Sequence, residues 1–399
     1  TEAKPGRCWI WPRGSVEAGD GVLPRFGFAA MKLPFLLQLG IGSLLIASHA
    51  GSAATFCVNE TTEIQDALAV AESNGEDDVI RIKTGTYTYT FPFVAGMFYY
   101  ETQEDFDLTL QGGWTGSGET CQRRFLNPTS TVLASDGTKS ILTIKGANSS
   151  AGDIIIEQLT VRGGDSATEG AGMKLGGNIG SNGFSGSIVV ERVYFDNNSA
   201  PEGAGLYAST NGGIRVRNSI FRANQCENNG CAASIAIFSL DGSEVRAVFS
   251  NNTVFGNTCS DDAGASCVTG GVIVDGLGLS PRTALLNNAF AQNDGNDVEL
   301  TGGSAVDLWY NNITEMSGTP ASELGTLNYS NPGFVSPILD DDFNLQQDSP
   351  LRNAGYDGFL VGLPPYSSID YAGISRVQES VIDIGAHEFG ERIFFDGFE

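Results

Sequence analysis

The feature that constrains this chain most is a unit that returns five times between residues 154 and 290. It is a short apolar strand closed by an Asn- or Gly-rich turn. The units are Ile154-Ile155-Ile156-Glu157-Gln158-Leu159-Thr160-Val161, Ile188-Val189-Val190-Glu191-Arg192-Val193-Tyr194-Phe195 and Ile214-Arg215-Val216-Arg217-Asn218-Ser219-Ile220-Phe221. Ser250-Asn251-Asn252-Thr253-Val254-Phe255 and Leu285-Leu286-Asn287-Asn288-Ala289-Phe290 follow. Aligning Val161, Phe195, Phe221, Phe255 and Phe290 gives spacings of 34, 26, 34 and 35. Three residues earlier stand Gln158, Arg192, Asn218, Asn252 and Asn287. A second strand follows most units after a glycine turn, as in Gly170-Ala171-Gly172-Met173-Lys174-Leu175, Gly203-Ala204-Gly205-Leu206-Tyr207 and Gly270-Gly271-Val272-Ile273-Val274.

One such unit cannot bury its own apolar face, but a stack of them makes a continuous core. Asn at one place in successive units fits a ladder, because its side chain bonds backbone and tolerates left-handed geometry. A propeller blade would need about 40–45 residues and its own signature. The expectation is an all-β right-handed parallel β-helix, a solenoid. Residues 61–74 read as its one helix. Thr61 or Thr62 caps it, Ile64, Leu68 and Ala71 share a face, and Gly75 ends it. Placed before the first strands, it suits the capping of the solenoid's exposed N-terminal end.

The boundaries follow. Met31, Lys32, the apolar stretch 33–47 and the small residues Gly51-Ser52-Ala53-Ala54 read as a signal peptide over 31–54. The stretch is shorter than the roughly 20 residues of a bilayer span. Residues 1–30 lie upstream of that Met and read as over-called translation. Residues 55–145 are expected to hold the N-terminal cap and first coils, 146–330 the repeats, 331–390 the C-terminal coils and cap, and 391–399 a tail. Removing residues 1–54, with five basic and three acidic residues, leaves 17 basic and 44 acidic. So acidic a surface repels phosphate backbones, which argues against nucleic acid. The whole chain has two histidines, His49 and His387, too few for a histidine dyad or a histidine zinc site.

Beyond Cys8, six cysteines remain: Cys57, Cys121, Cys226, Cys231, Cys259 and Cys267. An even number in an exported chain reads as disulfides. Cys57 and Cys121 bracket the N-terminal region and are expected to pair. For the others, either each loop closes on itself (226 with 231, 259 with 267) or two coils are stapled (226 with 259, 231 with 267).

The opening Phe56-Cys57-Val58-Asn59, Val79-Ile80-Arg81-Ile82 with Gly85-Thr86-Tyr87, the Gly-Ala-Gly turns, and Phe-x-x-Asn at 195–198 and 221–224 resemble bacterial exported right-handed parallel β-helix proteins. They are also similar to the repeats of polymorphic outer-membrane proteins. The stretches Asn331-Pro332-Gly333-Phe334, Asp342-Phe343-Asn344-Leu345, Asp348-Ser349-Pro350-Leu351 and Asn353-Ala354-Gly355 resemble the C-terminal cap of surface β-helix proteins with a variable anchor. So do Asp370-x-x-Gly373-x-x-Arg376 and Asp383-Ile384-Gly385-Ala386-His387-Glu388. The resemblance covers about 55–390 and implies the pectin-lyase-like fold and export, with no catalytic residues. A fold shared with lyases is no warrant for their activity.

The chemistry of that fold's enzymes is sparsely represented. A calcium-assisted eliminase needs Asp ligands and an Arg base on an Arg-x-x-x-x-Arg strand. Arg123-Arg124 and Arg215 with Arg217 do not make that pattern. A polygalacturonase-like hydrolase would show Asn-Thr-Asp, Asp-Asp and Gly-His-Gly, and only Asp261-Asp262 is present. Arg215 and Arg217 alternate with Ile214 and Val216 and should point outward, with Glu191 beside Arg217 on the preceding coil. These three read either as a surface ion pair or as a patch gripping uronate carboxylates. Trp309 faces out as a sugar platform in one register and in as core in the other. The acidic turns Glu76-Asp77-Asp78, Asp261-Asp262, Asp294-Gly295-Asn296-Asp297 and Asp340-Asp341-Asp342 match no calcium loop. They read as solvated turns, with Ca2+ at one of them as the alternative and no cofactor as the default.

The functional expectation is a secreted or cell-surface β-helix, without catalysis, that binds extracellular polysaccharide or a surface protein and has no transmembrane segment once processed. The alternatives are a polysaccharide lyase or glycoside hydrolase acting on an acidic polymer, and a purely structural surface module.

Overall fold

In the computed structural model the described residues are 53–390, apart from 89–96, 136, 138, 240–244, 260–267, 279–281, 304, 358–366 and 380. The upstream segment, nearly all of the signal peptide, Asp261-Asp262, Cys267 and the tail lie outside them. The chain is mostly β, with long parallel sheets. The first sheet runs through Ala54–Val58, Asp78–Lys83, Leu108–Thr115, Ile154–Arg162, Ile188–Asp196, Ile214–Arg217, Val245–Ser250, Arg282–Leu286, Ala305–Trp309 and Ser322–Leu324, each parallel to the one before. The second is wholly parallel, through Phe98–Thr102, Leu142–Gly146, Met173–Gly176, Leu206–Thr210, Ala233–Ser239, Val272–Gly278, Val298–Thr301 and Met316–Ser317. A short third sheet joins Ser199–Glu202, Gln225–Asn229 and Thr258–Cys259. Between residues 188 and 278 the chain visits the first, third and second sheets in that order and then begins again one strand further on. Each circuit is called a pass below.

Alternation decides what is buried. Ile154, Ile156, Ile188, Val190, Ile214 and Val216 are core, while Ile155, Val189 and Arg215 face out. Because the strands are in register, like side chains stack between passes. Phe195 lies on Phe221 with ring centroids 4.4 Å apart and an interplanar angle of 5°. Each fully buried Phe contributes about 1.5–3 kcal/mol. The turns hold two asparagine ladders. Asn198, Asn224, Asn257 and Asn293 are joined Nδ2 to Oδ1 at 2.9 Å in each step. Asn252, Asn288 and Asn311 are joined at 3.1 and 2.9 Å.

At this point of the five units the left-handed residue is Gln158, Arg192, Asn218, Asn251 and Asn287, with φ of 51–58°. In the fourth unit this is Asn251 and not Asn252, and Val254 rather than Phe255 pairs with Phe221 and Phe290. The alignment on Phe255 is therefore one residue late. Phe255 turns outward instead, against Phe334 and Phe343.

The helix is Thr61–Ala71, shorter than expected and without a Thr cap; Glu60 precedes it with no side-chain cap bond. It buries Ile64, Ala67, Leu68 and Ala71. Its polar side chains serve the edge strand Phe98–Thr102. Gln65 Nε2 donates to Tyr99 O, Gln65 Oε1 accepts from Tyr99 N (both 2.9 Å), and Glu72 Oε1 accepts from Glu101 N at 3.0 Å. An edge that would present unpaired N–H groups is thus occupied.

Residues 331–389 add no strand to the three parallel sheets among the described residues. A two-stranded hairpin, Phe334–Ser336 with Asp342–Leu345, opens this segment. The segment then runs against the turns of several passes, burying Leu351, Tyr371, Ile384 and Ala386 with Tyr194, Ile220, Phe255 and Ala289. The outward side chains of the left-handed asparagines hold it. Asn218 Nδ2 donates to Ile369 O at 3.0 Å, and Asn287 exchanges bonds of 3.0 and 2.8 Å with Tyr356. Arg376 is fully buried and donates to Glu388 Oε1 (2.8 Å), Gly385 O (3.0 Å), Ala386 O (3.0 Å) and Asn218 Oδ1 (2.5 Å). The stretch expected as terminal coils and cap is therefore a strap along the side of the passes. The cap-like motifs fold the strap on itself: Asp370 accepts from Ile374 N and Glu388 N, and Asp383 from Asn353 N and Phe389 N.

Candidate functional site

The structure brings Glu191 and Arg217 together and leaves the other expected site residues apart. Glu191 is register partner of Arg217. Its Oε2 takes Arg217 Nη2 at 2.6 Å, and its Oε1 takes Arg192 Nη1 at 2.5 Å. Ser367 of the strap donates to the same carboxylate at 3.0 Å. Burial acts to raise the Glu191 carboxyl, but Arg217 and Arg192 outweigh it and hold it below the ordinary range. With Glu191 only 4% and Arg192 6% exposed, the Glu191–Arg192 pair is buried, and Arg217, with 27% of its side chain exposed, reaches it from the rim. Removing one partner of such a pair typically costs about 3–5 kcal/mol. Arg215 is exposed and has no ion pair among the described residues. Trp309 does face outward, since Leu308 is buried, yet it packs against the cluster of Val248, Ala284 and Leu286. Its Nε1 donates to Ser322 Oγ at 3.0 Å, so it is no open sugar platform.

A different place gathers polar and aromatic groups outside the core. The outer face of the second sheet carries a cleft of about 770 Å3 with Glu101, Lys145, Glu169, Lys174 and Tyr207 on its walls. Register explains the grouping. Tyr99, Thr143, Lys174 and Tyr207 form one outward file across four passes, and Glu101, Lys145, Gly176 and Ser209 form the next. At Gly176 a Cβ would lie 1.9 Å from Ser209 O and 2.9 Å from Ile188 Cδ1, so only glycine fits between the passes there. Lys174 Nζ pairs with Glu169 at 2.5 Å and lies 5.8 Å from the Tyr207 ring; Lys145 Nζ lies 5.4 Å from the Tyr99 ring. Burial acts to raise Glu169, but the hydrogen bond and charge of Lys174 hold its carboxyl below the usual value. Burial pushes the Tyr207 hydroxyl up to about 12, so the ring stays neutral. Ammonium and carboxylate groups side by side, with ring faces beside them, can take the hydroxyl pairs and flat faces of a sugar. Sequence reasoning missed this cleft. The signal was available, because Lys174 and Tyr207 occupy the same place after successive Gly-Ala-Gly turns.

Cys57 is bonded to Cys121 and Cys226 to Cys231, with Cα atoms 5.7 and 4.9 Å apart. The latter closes a loop on itself. Cys259, register partner of Cys226, is also disulfide-bonded. The acidic turns are taken up by donors. Asp77 accepts from Asp107 N and Asp107 from Asp153 N, Asp297 from Thr314, and Asp341 pairs with Arg222. No helix among the described residues is long and apolar enough to cross a membrane. Compared with known proteins, the chain matches no family model and no curated relative.

Proposed function

We propose that this chain is an exported right-handed parallel β-helix, closed at its N-terminal end by the helix Thr61–Ala71, that binds extracellular polysaccharide without transforming it. The observation that carries the reading is the cleft on the second sheet, where two lysines, two glutamates and Tyr207 converge from separate passes although none is needed to close the core. The parallel passes support a solenoid. The disulfides fit an oxidising compartment outside the cytosol. The cleft's two ammonium and two carboxylate groups balance, while the chain as a whole carries −25. Neutral glycans therefore suit it better than polyanions, which the surface repels. The reading requires no cofactor.

Calorimetric titration of the full chain with neutral and uronate-rich glycans tests it. Saturable binding to a neutral glycan, lost in Lys174→Ala and Tyr207→Ala, is expected. Absence of binding to every glycan would remove the reading. Glu101 and Glu169 on one cleft favour a second reading, acid–base hydrolysis of a glycan. Release of reducing ends in the same mixtures would turn the binding protein into an enzyme.

A further inference from the structure

The outer face of the first sheet holds a second charged site, independent of the cleft. Arg124, Glu157, Glu191, Arg192 and Arg217 come together there from neighbouring passes, Glu157 and Glu191 being direct register partners. Three arginines face two glutamates, a local positive excess in a strongly acidic chain. The carboxylates are already in use. Glu157 Oε2 accepts from Arg124 Nη1 at 2.8 Å and from Gln111 Nε2 at 3.2 Å. Glu191 accepts from Arg192, Arg217 and Ser367. Two guanidinium donors are left over: Arg124 Nη2 and Arg192 Nε are buried with no hydrogen-bond partner.

Arg192 is 6% exposed. An unmet donor on a buried charge is among the more expensive defects a fold carries. Neither donor is needed to hold the passes, which the ladders and strands already join. Burial pulls the Arg192 guanidinium below its ordinary range, with Arg124 and Arg217 adding to the effect against Glu191 and Glu157. Arg124 and Glu157, at 17% and 21% side-chain exposure, bring the rim of the cluster to solvent.

We infer that this cluster binds one small oxyanion, a carboxylate or a sulfate, received by Arg124 Nη2 and Arg192 Nε. A planar or tetrahedral oxyanion accepts several N–H bonds and cancels the excess charge, which a neutral group cannot do.

The test is calorimetric titration of the full chain with sodium sulfate and with sodium acetate, against sodium chloride at matched ionic strength. Saturable binding of one oxyanion is expected. It should weaken about tenfold or more in Arg192→Gln and Arg124→Gln and stay unchanged in Arg215→Gln, which stands outside the cluster. Sulfate stabilises folded proteins generally, so a melting shift shared by all variants counts against the site. Should Arg192→Gln not fold, Arg192→Lys keeps the charge and removes Nε, and the wild-type Arg192 Nε–H resonance followed by NMR gives a second readout. A shift and slowed exchange of that proton on adding the oxyanion support the site. No heat and no shift with either anion overturns it, as does binding that survives both arginine substitutions. Galacturonate and methyl sulfate as further titrants distinguish a sugar-borne anion from a free one.

Discussion

The outer faces of the first and second sheets are built from the same alternation, yet their charges have opposite fates. On the first sheet the strap lies over part of the face, and Glu191 is drawn into a buried network with Arg192, Arg217 and Ser367. On the second sheet Lys145, Lys174, Glu101 and Glu169 remain on an open cleft. Coverage, and not residue type, separates them. A surface ion pair is worth about 0–1 kcal/mol, whereas breaking a buried one costs several times that. The covered face has therefore turned its carboxylates into structure and left over only the donors Arg124 Nη2 and Arg192 Nε. The open face leaves its charges at the surface.

That contrast can be broken first at Arg376. Arg376→Ala removes the buried link between the strap and Asn218 and should destabilise by about 3–5 kcal/mol. Urea denaturation with hydrogen exchange would show lost protection over 369–389. If the strap stays protected, coverage does not depend on this link. Next comes the asparagine ladder in the turns between the first and third sheets. Asn224→Ala strands partners on Asn198 and Asn257 and should cost about 1–3 kcal/mol in the same assay.

A pH-dependent effect is expected at Glu388. Burial raises its carboxyl from 4.5 to about 8, helped by Asp383 and opposed by Arg376. An acid with a raised folded-state pKa favours the folded state while protonated. Its contribution is full below about pH 4.5 and is lost as pH rises through about 8. The urea midpoint of the wild type should fall across that window, and that of Glu388→Gln should not. Smallest in stability is Lys145→Ala on the open face, expected within about 0.5 kcal/mol of wild type. Its effect should appear in glycan titration instead. A large loss of stability there would mean that the cleft's charges are structural after all.

Much of the fold was legible because period-two alternation and in-register asparagines report directly on strands and ladders. Gln158, Arg192, Asn218 and Asn287 are left-handed where the pattern placed the turn. The fourth unit slipped because Asn251-Asn252 and Val254-Phe255 each offer two candidates for one place. What settles it is remote: Phe334 and Phe343 supply an apolar seat for Phe255 outside the core. The strap was legible as motifs but not as a location, since Asn218 and Arg376 meet across 158 residues. The outward pairing of Glu191 with Arg217 was readable from register; its burial was not, because that depends on the strap. The cleft was hidden for a related reason, being assembled from residues of four passes.

The unequal strand lengths have a mechanical consequence. Pulled along the direction of stacking, such a sheet carries load in series, so its weakest junction yields first. Ile154–Arg162 meets Ile188–Asp196 over nine-residue strands, while the last strand, Ser322–Leu324, has three. At the other end the Cys57–Cys121 bond closes a covalent loop across the first passes. Under tension the stacked strands should separate from the C-terminal end first, one pass at a time. Asparagine ladder partners lie 26, 33 and 36 residues apart, so each step would release about 90–120 Å of extended chain.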